Sequence, residues 1–180
     1  MVEKWGRILA VVIIIGCFAI PMAFAALTAS FSDTVWQSPA IKADNFHYST
    51  SAIPTTDHTT VGTLTTLTVG ENVVYGDALY MKSDGKLWKA DADASTTMPI
   101  IAIATNSISA DAAGNVLVHG FLRDDTYTWT PGQVIYGSLT GGEITATAPT
   151  GTGDQVQVIG VAISADVIYF NPSLVLIEVS

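Results

Sequence analysis

Apolar and polar positions divide the chain into three stretches. Residues 8–25 read ILAVVIIIGCFAIPMAFA without a single charge. Residues 26–62 scatter isolated apolar side chains among polar ones. No helical period is sustained there, and Pro39 and Pro54 interrupt the stretch. From Thr63 onward, short runs rich in Val, Ile, Thr and aromatic residues alternate with Gly, Asp and Ser at close spacing. The runs fall at 64–69, 73–75, 78–81, 86–90, 100–104, 116–122, 127–129, 134–136, 144–148, 156–164, 167–170 and 174–179. β-branched residues are stiff at the first side-chain torsion and suit a pleated surface. The Ser83-Asp84-Gly85 turn between two such runs is a hairpin signal. The pattern predicts an all-β module of about ten short strands, a compact barrel or sandwich, over 63–180. An extended arm over 26–62 and a hydrophobic helix over 1–25 precede it.

The β-region carries an internal echo. Gly76-Asp-Ala-Leu-Tyr80 is followed by Gly85, and Gly132-Gln-Val-Ile-Tyr136 is followed by Gly141 at the same interval. Ile101-Ala-Ile-Ala104 is likewise matched by Ile159-Gly-Val-Ala162. The expectation is two similar β-units within one module.

The first 25 residues set the expected location. Lys4 and Arg7 precede the apolar run, and Ala23-Phe24-Ala25 closes it with small residues where a signal peptidase reads them. This is the composition of a secretory signal peptide cut between Ala25 and Ala26. Two alternatives stay open. Cys17 after Ile14-Ile15-Gly16 loosely fits a lipidated cysteine, and 18 apolar residues are just enough for an uncleaved membrane anchor. Membrane contact is expected only through residues 1–25.

Charge narrows the partners. Beyond residue 25 only Lys42, Lys82, Lys86, Lys89 and Arg123 are basic, against fifteen acids, a net charge of −10. No basic patch exists for a phosphate backbone, so nucleic acid is not an expected partner. Cys17 is the only cysteine, which leaves the rest of the chain without disulfide, thiolate nucleophile or cysteine metal site.

Candidate chemistry is sparse. His47, His58 and His119 show no metal-ligand spacing between any two of them, and no H-E-x-x-H, G-x-S-x-G, P-loop or G-x-G-x-x-G motif occurs. Asp91, Asp93 and Ser95 place oxygen donors at positions 1, 3 and 5 of a calcium-type loop. Thr96 and Ala102 then stand where such a loop needs Gly and Glu, so the match is weak. The expectation is no enzyme activity, no cofactor and no resident metal. Leu27, Phe31, Val35, Trp36, Ile41 and Phe46 are the apolar positions of the arm, and a strand-donating arm would use them on a neighbouring copy.

The phrase Gly76-Asp-Ala-Leu-Tyr-Met-Lys-Ser-Asp-Gly-Lys-Leu-Trp-Lys-Ala90 resembles β-rich modules of phage virion structural proteins, of tail-fibre, head-fibre or capsid-decoration type. So do Thr130-Pro-Gly-Gln-Val-Ile-Tyr136, Gly141-Gly-Glu-Ile-Thr145, Ala148-Pro-Thr-Gly-Thr-Gly-Asp154, and Val156–Ser164 with Tyr169-Phe-Asn-Pro172. The resemblance covers about 110 residues from Gly70. It implies a β-barrel-like module, often trimeric, displayed on a particle surface, and it brings no catalytic residue with it. Ordinary phage fibre proteins carry no leader. The hydrophobic segment here fits better a surface protein of a membrane-containing virus, or a secreted cell-surface filament or adhesin subunit. The expected function is therefore an extracellular, self-assembling structural or adhesive subunit on a virion or cell surface. A polymerising filament subunit and a secreted module that binds cell-surface glycans are the alternatives.

Overall fold

Strands form where the sequence concentrates Val, Ile, Thr and aromatic residues between glycine turns. The computed structural model describes residues 53–180. The expected leader and the arm positions Leu27, Phe31, Val35, Trp36, Ile41 and Phe46 lie outside the described residues. The strands are β1 (Thr59–Thr68), β2 (Ala78–Met81), β3 (Leu87–Lys89), β4 (Ile100–Ala104), β5 (Ala113–Arg123) and β6 (Val134–Gly137). They continue with β7 (Ile144–Thr145), β8 (Gln155–Val156), β9 (Val158–Ala162), β10 (Val167–Phe170) and β11 (Ile177–Glu178). The helical content of the described residues is one 3-10 turn at Ser95–Thr97. No helix among them is long and apolar enough to cross a membrane.

The architecture is all-β. Eight strands run in the order β3-β2-β4-β5-β10-β9-β6-β7 and curl into an antiparallel half-barrel, while β8 and β11 form a separate pair. β5 is long enough to serve three partners. β1 follows it from Thr59↔Arg123 to Thr68↔Ala113 along one edge. On the other edge β4 pairs with Val116 and Leu117, and β10 pairs with Gly120 to Arg123. β1 also runs straight through the boundary expected between Gly62 and Thr63. Gly62 and Gly120 make its close approach to β5 possible. A Cβ on Gly62 would lie 2.2 Å from the His119 carbonyl oxygen.

The sheet order reads the same from both ends. β3-β2-β4-β5 and β7-β6-β9-β10 are two units with one strand order, joined where β5 meets β10. Their registers match as well. Leu79 pairs with Ala102 and Tyr80 with Ile100, skipping Ile101; Ile135 pairs with Gly160 and Tyr136 with Val158, skipping Ile159. Gly76 and Gly132, at φ +88° and +86°, make the turn that precedes each unit. Gly142, rather than the expected Gly141, is the counterpart of Gly85 in the left-handed region, at +85° against +78°.

Three strand expectations are corrected. The run 127–129 is not a strand. The Asp124 carboxylate accepts the Thr126 amide and hydroxyl at 2.9 and 2.6 Å, which turns the chain before the aromatic residues. The run 73–75 is reduced to a bridge between Val73 and Ile108. The run 156–164 breaks at Gln157, whose buried amide accepts from the Ile100 N–H at 2.8 Å and donates to the Ile100 carbonyl at 2.9 Å. This side chain imitates a peptide group, so the first residue of β4 is satisfied from β9's side without a ladder.

Two apolar clusters make the core. The larger draws Ala78, Tyr80, Ile100, Ile103 and Leu117 from the first unit and Ile135, Ile159, Ile168 and Phe170 from the second. The smaller contains Val69, Val73, Leu79, Leu87, Ala102, Ile108 and Val116. Because side chains alternate along a strand, Leu79 and Ala102 lie on the opposite face of the first unit from Tyr80 and Ile103. The first unit is thus covered on both faces.

Candidate functional site

Among the described residues, the second unit is covered on one face only. Ile135, Ile159, Ala162, Ile168 and Phe170 point into the larger cluster, which sends their strand neighbours Val134, Val161 and Tyr169 outward. The ladder registers align these with two further strands. Val61 pairs with Phe121, Phe121 with Tyr169, Tyr169 with Val161, and Val161 with Val134. At the usual strand spacing this apolar row is roughly 19 Å wide. Phe121 and Tyr169 stack with ring centroids 5.2 Å apart. His119 is exposed and meets Tyr169 edge-on with Nε2 2.8 Å from the hydroxyl.

Comparing matched positions shows how unusual this face is. Ala78, Ile100 and Ile103 are 0–1% exposed; their counterparts Val134 and Val158 are 36% and 40% exposed, and Val161 is half-buried. Residues of core type have been kept on a face that solvent reaches. Leu139, Ile163, Leu174, Val175 and Ile177 are exposed as well, so seven of the ten large exposed hydrophobics among the described residues lie after Asp124. The Ser173 N–H bonds the Val158 carbonyl, which holds the Leu174–Val175 segment beside β9. From Asp124 to Ser180 the chain has six acids and no Lys or Arg.

A second feature lies where the two units meet. A cleft of about 280 Å³ is lined by Tyr75, Asp77, Asp124, Tyr127, Trp129 and Glu143, together with Gly142 and Ile144. Asp77 is fixed by the Val74 N–H at 2.7 Å and by the Lys89 ammonium at 3.0 Å. Gly142 must lack a side chain here, because a Cβ would lie 2.7 Å from Asp77 Oδ1. Burial pushes the Tyr75 and Tyr127 phenols well above the ordinary tyrosine range. The Trp129 Nε1–H is buried and has no acceptor among the described residues. A second, smaller cleft of about 260 Å³ is lined by Ser138, Leu139, Thr145, Thr147, Pro149 and Thr150 and holds no titratable group.

At the rim of the first cleft stand Asp57, His58 and Asp124. They meet because His58 precedes and Asp124 follows the two members of the rung Thr59↔Arg123. Asp57 Oδ1 accepts the backbone amides of His58 and Asp125, each at 2.9 Å. The Asp125 amide bond is the main reason its carboxyl is held below the usual range. His58 lies over Tyr75, ring centroids 4.5 Å apart.

The weak calcium candidate looks different. Asp91 Oδ1 accepts the Asp93 N–H at 3.0 Å, and the Asp91 carbonyl accepts the Thr97 hydroxyl at 2.6 Å. Asp93 and Ser95 are exposed on this turn. Trp88 has its ring under the Lys82 ammonium, 4.0 Å from the centroid, and donates to Asp84 at 3.0 Å.

Sequence reasoning missed the bare face and the Asp57–His58–Asp124 cluster. A signal for the first was present. β9 (VIGVA) is apolar at every position, a pattern of strands buried on both faces. Nothing in the spacing signalled the second, because strand register creates it. No protein-family model matches the chain, and no curated protein sequence matches it.

Proposed function

We propose that the protein is a non-enzymatic, extracellular structural or adhesive subunit of a virion or cell surface, which assembles with copies of itself through the outer face of its second β-unit. The observation that carries this reading is the row Val61–Phe121–Tyr169–Val161–Val134 with Val158 beside it. Val134, Val158, Val161 and Tyr169 match the core positions Ala78, Ile100, Ile103 and Leu117 of the first unit, and here they are exposed or only half-buried among the described residues. Monomeric proteins rarely keep a wide contiguous apolar patch exposed, and burying one is the main driving force of association. The absence of Lys and Arg from Asp124 onward removes the gatekeeping charges that usually blunt such a surface. The extracellular part of the reading rests on Lys4 and Arg7, the uncharged run 8–25 and Ala23-Phe24-Ala25. In this reading residues 26–58 link leader and module.

The test is the absolute mass of purified residues 26–180 by light scattering over a concentration series. A small oligomer of fixed number, a trimer above all, supports the reading. Growth into long polymers favours a filament whose arm donates a strand to the next copy. A monomer at every concentration overturns self-assembly, and the Phe121–Tyr169–His119 face would next be tried against glycans.

A further inference from the structure

We propose that Asp57, His58 and Asp124 form a binding site for one divalent transition-metal ion, which ties the start of β1 to the end of β5. His58 Nε2 lies 3.9 Å from Asp57 Oδ2 and 3.7 Å from Asp124 Oδ2, and the donor atoms of the three residues all lie within 4.8 Å of one another. Both distances are too long for hydrogen bonds. Both are shorter than twice the roughly 2.1 Å of a metal–ligand bond, so a single ion reaches the imidazole and either carboxylate.

The carboxylates are positioned for this role. Asp57 commits Oδ1 to two backbone amides, and Asp124 commits Oδ1 to the Thr126 amide and hydroxyl. That leaves each Oδ2 turned toward His58. Asp124 is only 7% exposed, and its Oδ2 receives no hydrogen bond among the described residues. That oxygen still meets solvent and carries no donor, so it is open to an ion from solution. Arg123, the nearest basic side chain in sequence, is already engaged by Asp125 at 2.6 Å and Asp166 at 3.1 Å. A dication offsets both carboxylates at once.

The imidazole is held as well as the oxygens. Tyr75, on which it lies, donates its hydroxyl toward the carbonyls of Thr59 and Arg123 at 2.9 and 2.8 Å, the two members of the adjoining rung. One nitrogen with two carboxylate oxygens suits Zn²⁺, Mn²⁺ or Co²⁺ better than Ca²⁺ or Mg²⁺, which prefer all-oxygen shells. The ion would fasten the point at which the chain from residues 26–52 enters the sheet, leaving the remaining coordination positions to water.

The experiment is calorimetric titration of Zn²⁺ into the full chain, purified in detergent and stripped with EDTA, with Ca²⁺ and Mg²⁺ as comparison ions. The expected result is one Zn²⁺ per chain and a melting temperature several degrees higher once Zn²⁺ exceeds its dissociation constant a hundredfold. Ca²⁺ should bind at least about tenfold more weakly. His58→Ala should melt with the wild type in EDTA and lose most of the Zn²⁺ affinity and the thermal shift. Co²⁺ in place of Zn²⁺ should give a visible absorption band that His58→Ala abolishes. No saturable Zn²⁺ binding would overturn the proposal. So would Zn²⁺ binding unchanged in both His58→Ala and Asp124→Asn, or Ca²⁺ binding as tight as Zn²⁺.

Discussion

The two β-units share a strand order, a register and a bulge, yet they meet solvent differently. The first is packed on both faces, by the larger cluster on one side and by Val69, Val73 and Ile108 on the other. It carries Lys82, Lys86, Lys89 and Arg123. The second is packed on one face, shows Val134, Val158 and Ile163 on its surface, and carries no basic residue. Topology is set by what the units have in common, namely turn glycines and the skipped residue. The proposed assembly surface lies where only one of them lacks a covering layer among the described residues.

Matched substitutions break this comparison most directly. Ile100→Ala in the first unit should cost about 2–5 kcal/mol, because a fully buried side chain leaves a cavity. Val158→Ala at the counterpart position should change monomer stability by no more than roughly 0.5 kcal/mol. Chemical denaturation of the two variants measures the gap. Equal losses would mean that the second unit's outer face is covered within the monomer.

Gln157 tests the dependence of one unit on the other. Gln157→Leu leaves the Ile100 N–H and carbonyl without partners and should cost about 1–3 kcal/mol for each group left unsatisfied. Hydrogen exchange should then rise at Ile100, in the first unit, although the change lies in the second.

The smallest effect concerns charge that only the first unit carries. The Lys86 N–H, followed by the Trp88 indole N–H, holds the Asp84 carboxyl below its ordinary value. A depressed carboxyl stabilises the fold above its unfolded pKa of about 3.9, and that contribution disappears as pH falls through the lower folded value. Melting temperatures of wild type and Asp84→Asn should therefore differ slightly at pH 6 and converge toward pH 2. At the matched position the turn of the second unit has Gly141, which offers no carboxylate to remove.

Much of the fold was legible because turns and β-branched runs are local signals. Gly76 to Tyr80 and Gly132 to Tyr136 announced β2 and β6, and the Ser83-Asp84-Gly85 turn announced the hairpin between β2 and β3. The run 127–129 misled because its aromatic residues look strand-like, while the bend that precludes a strand comes from the Asp124 side chain. The break at Gln157 was hidden in the same way, since a polar side chain replacing a ladder leaves no periodic trace. Which face stays bare depends on what folds over each unit, and a uniformly apolar β9 does not say which of its faces is covered. Asp57 and His58 lie far along the chain from Asp124, and only the β1–β5 register joins them.

The claim that the second unit's outer face is an assembly surface is tested most directly by light scattering of Val134→Asp/Val158→Asp beside the wild type at equal concentration. The account predicts a wild type of fixed small oligomeric mass and a variant of monomer mass, with unchanged unfolding of the monomeric fold. A variant that keeps the wild-type oligomeric mass would contradict it.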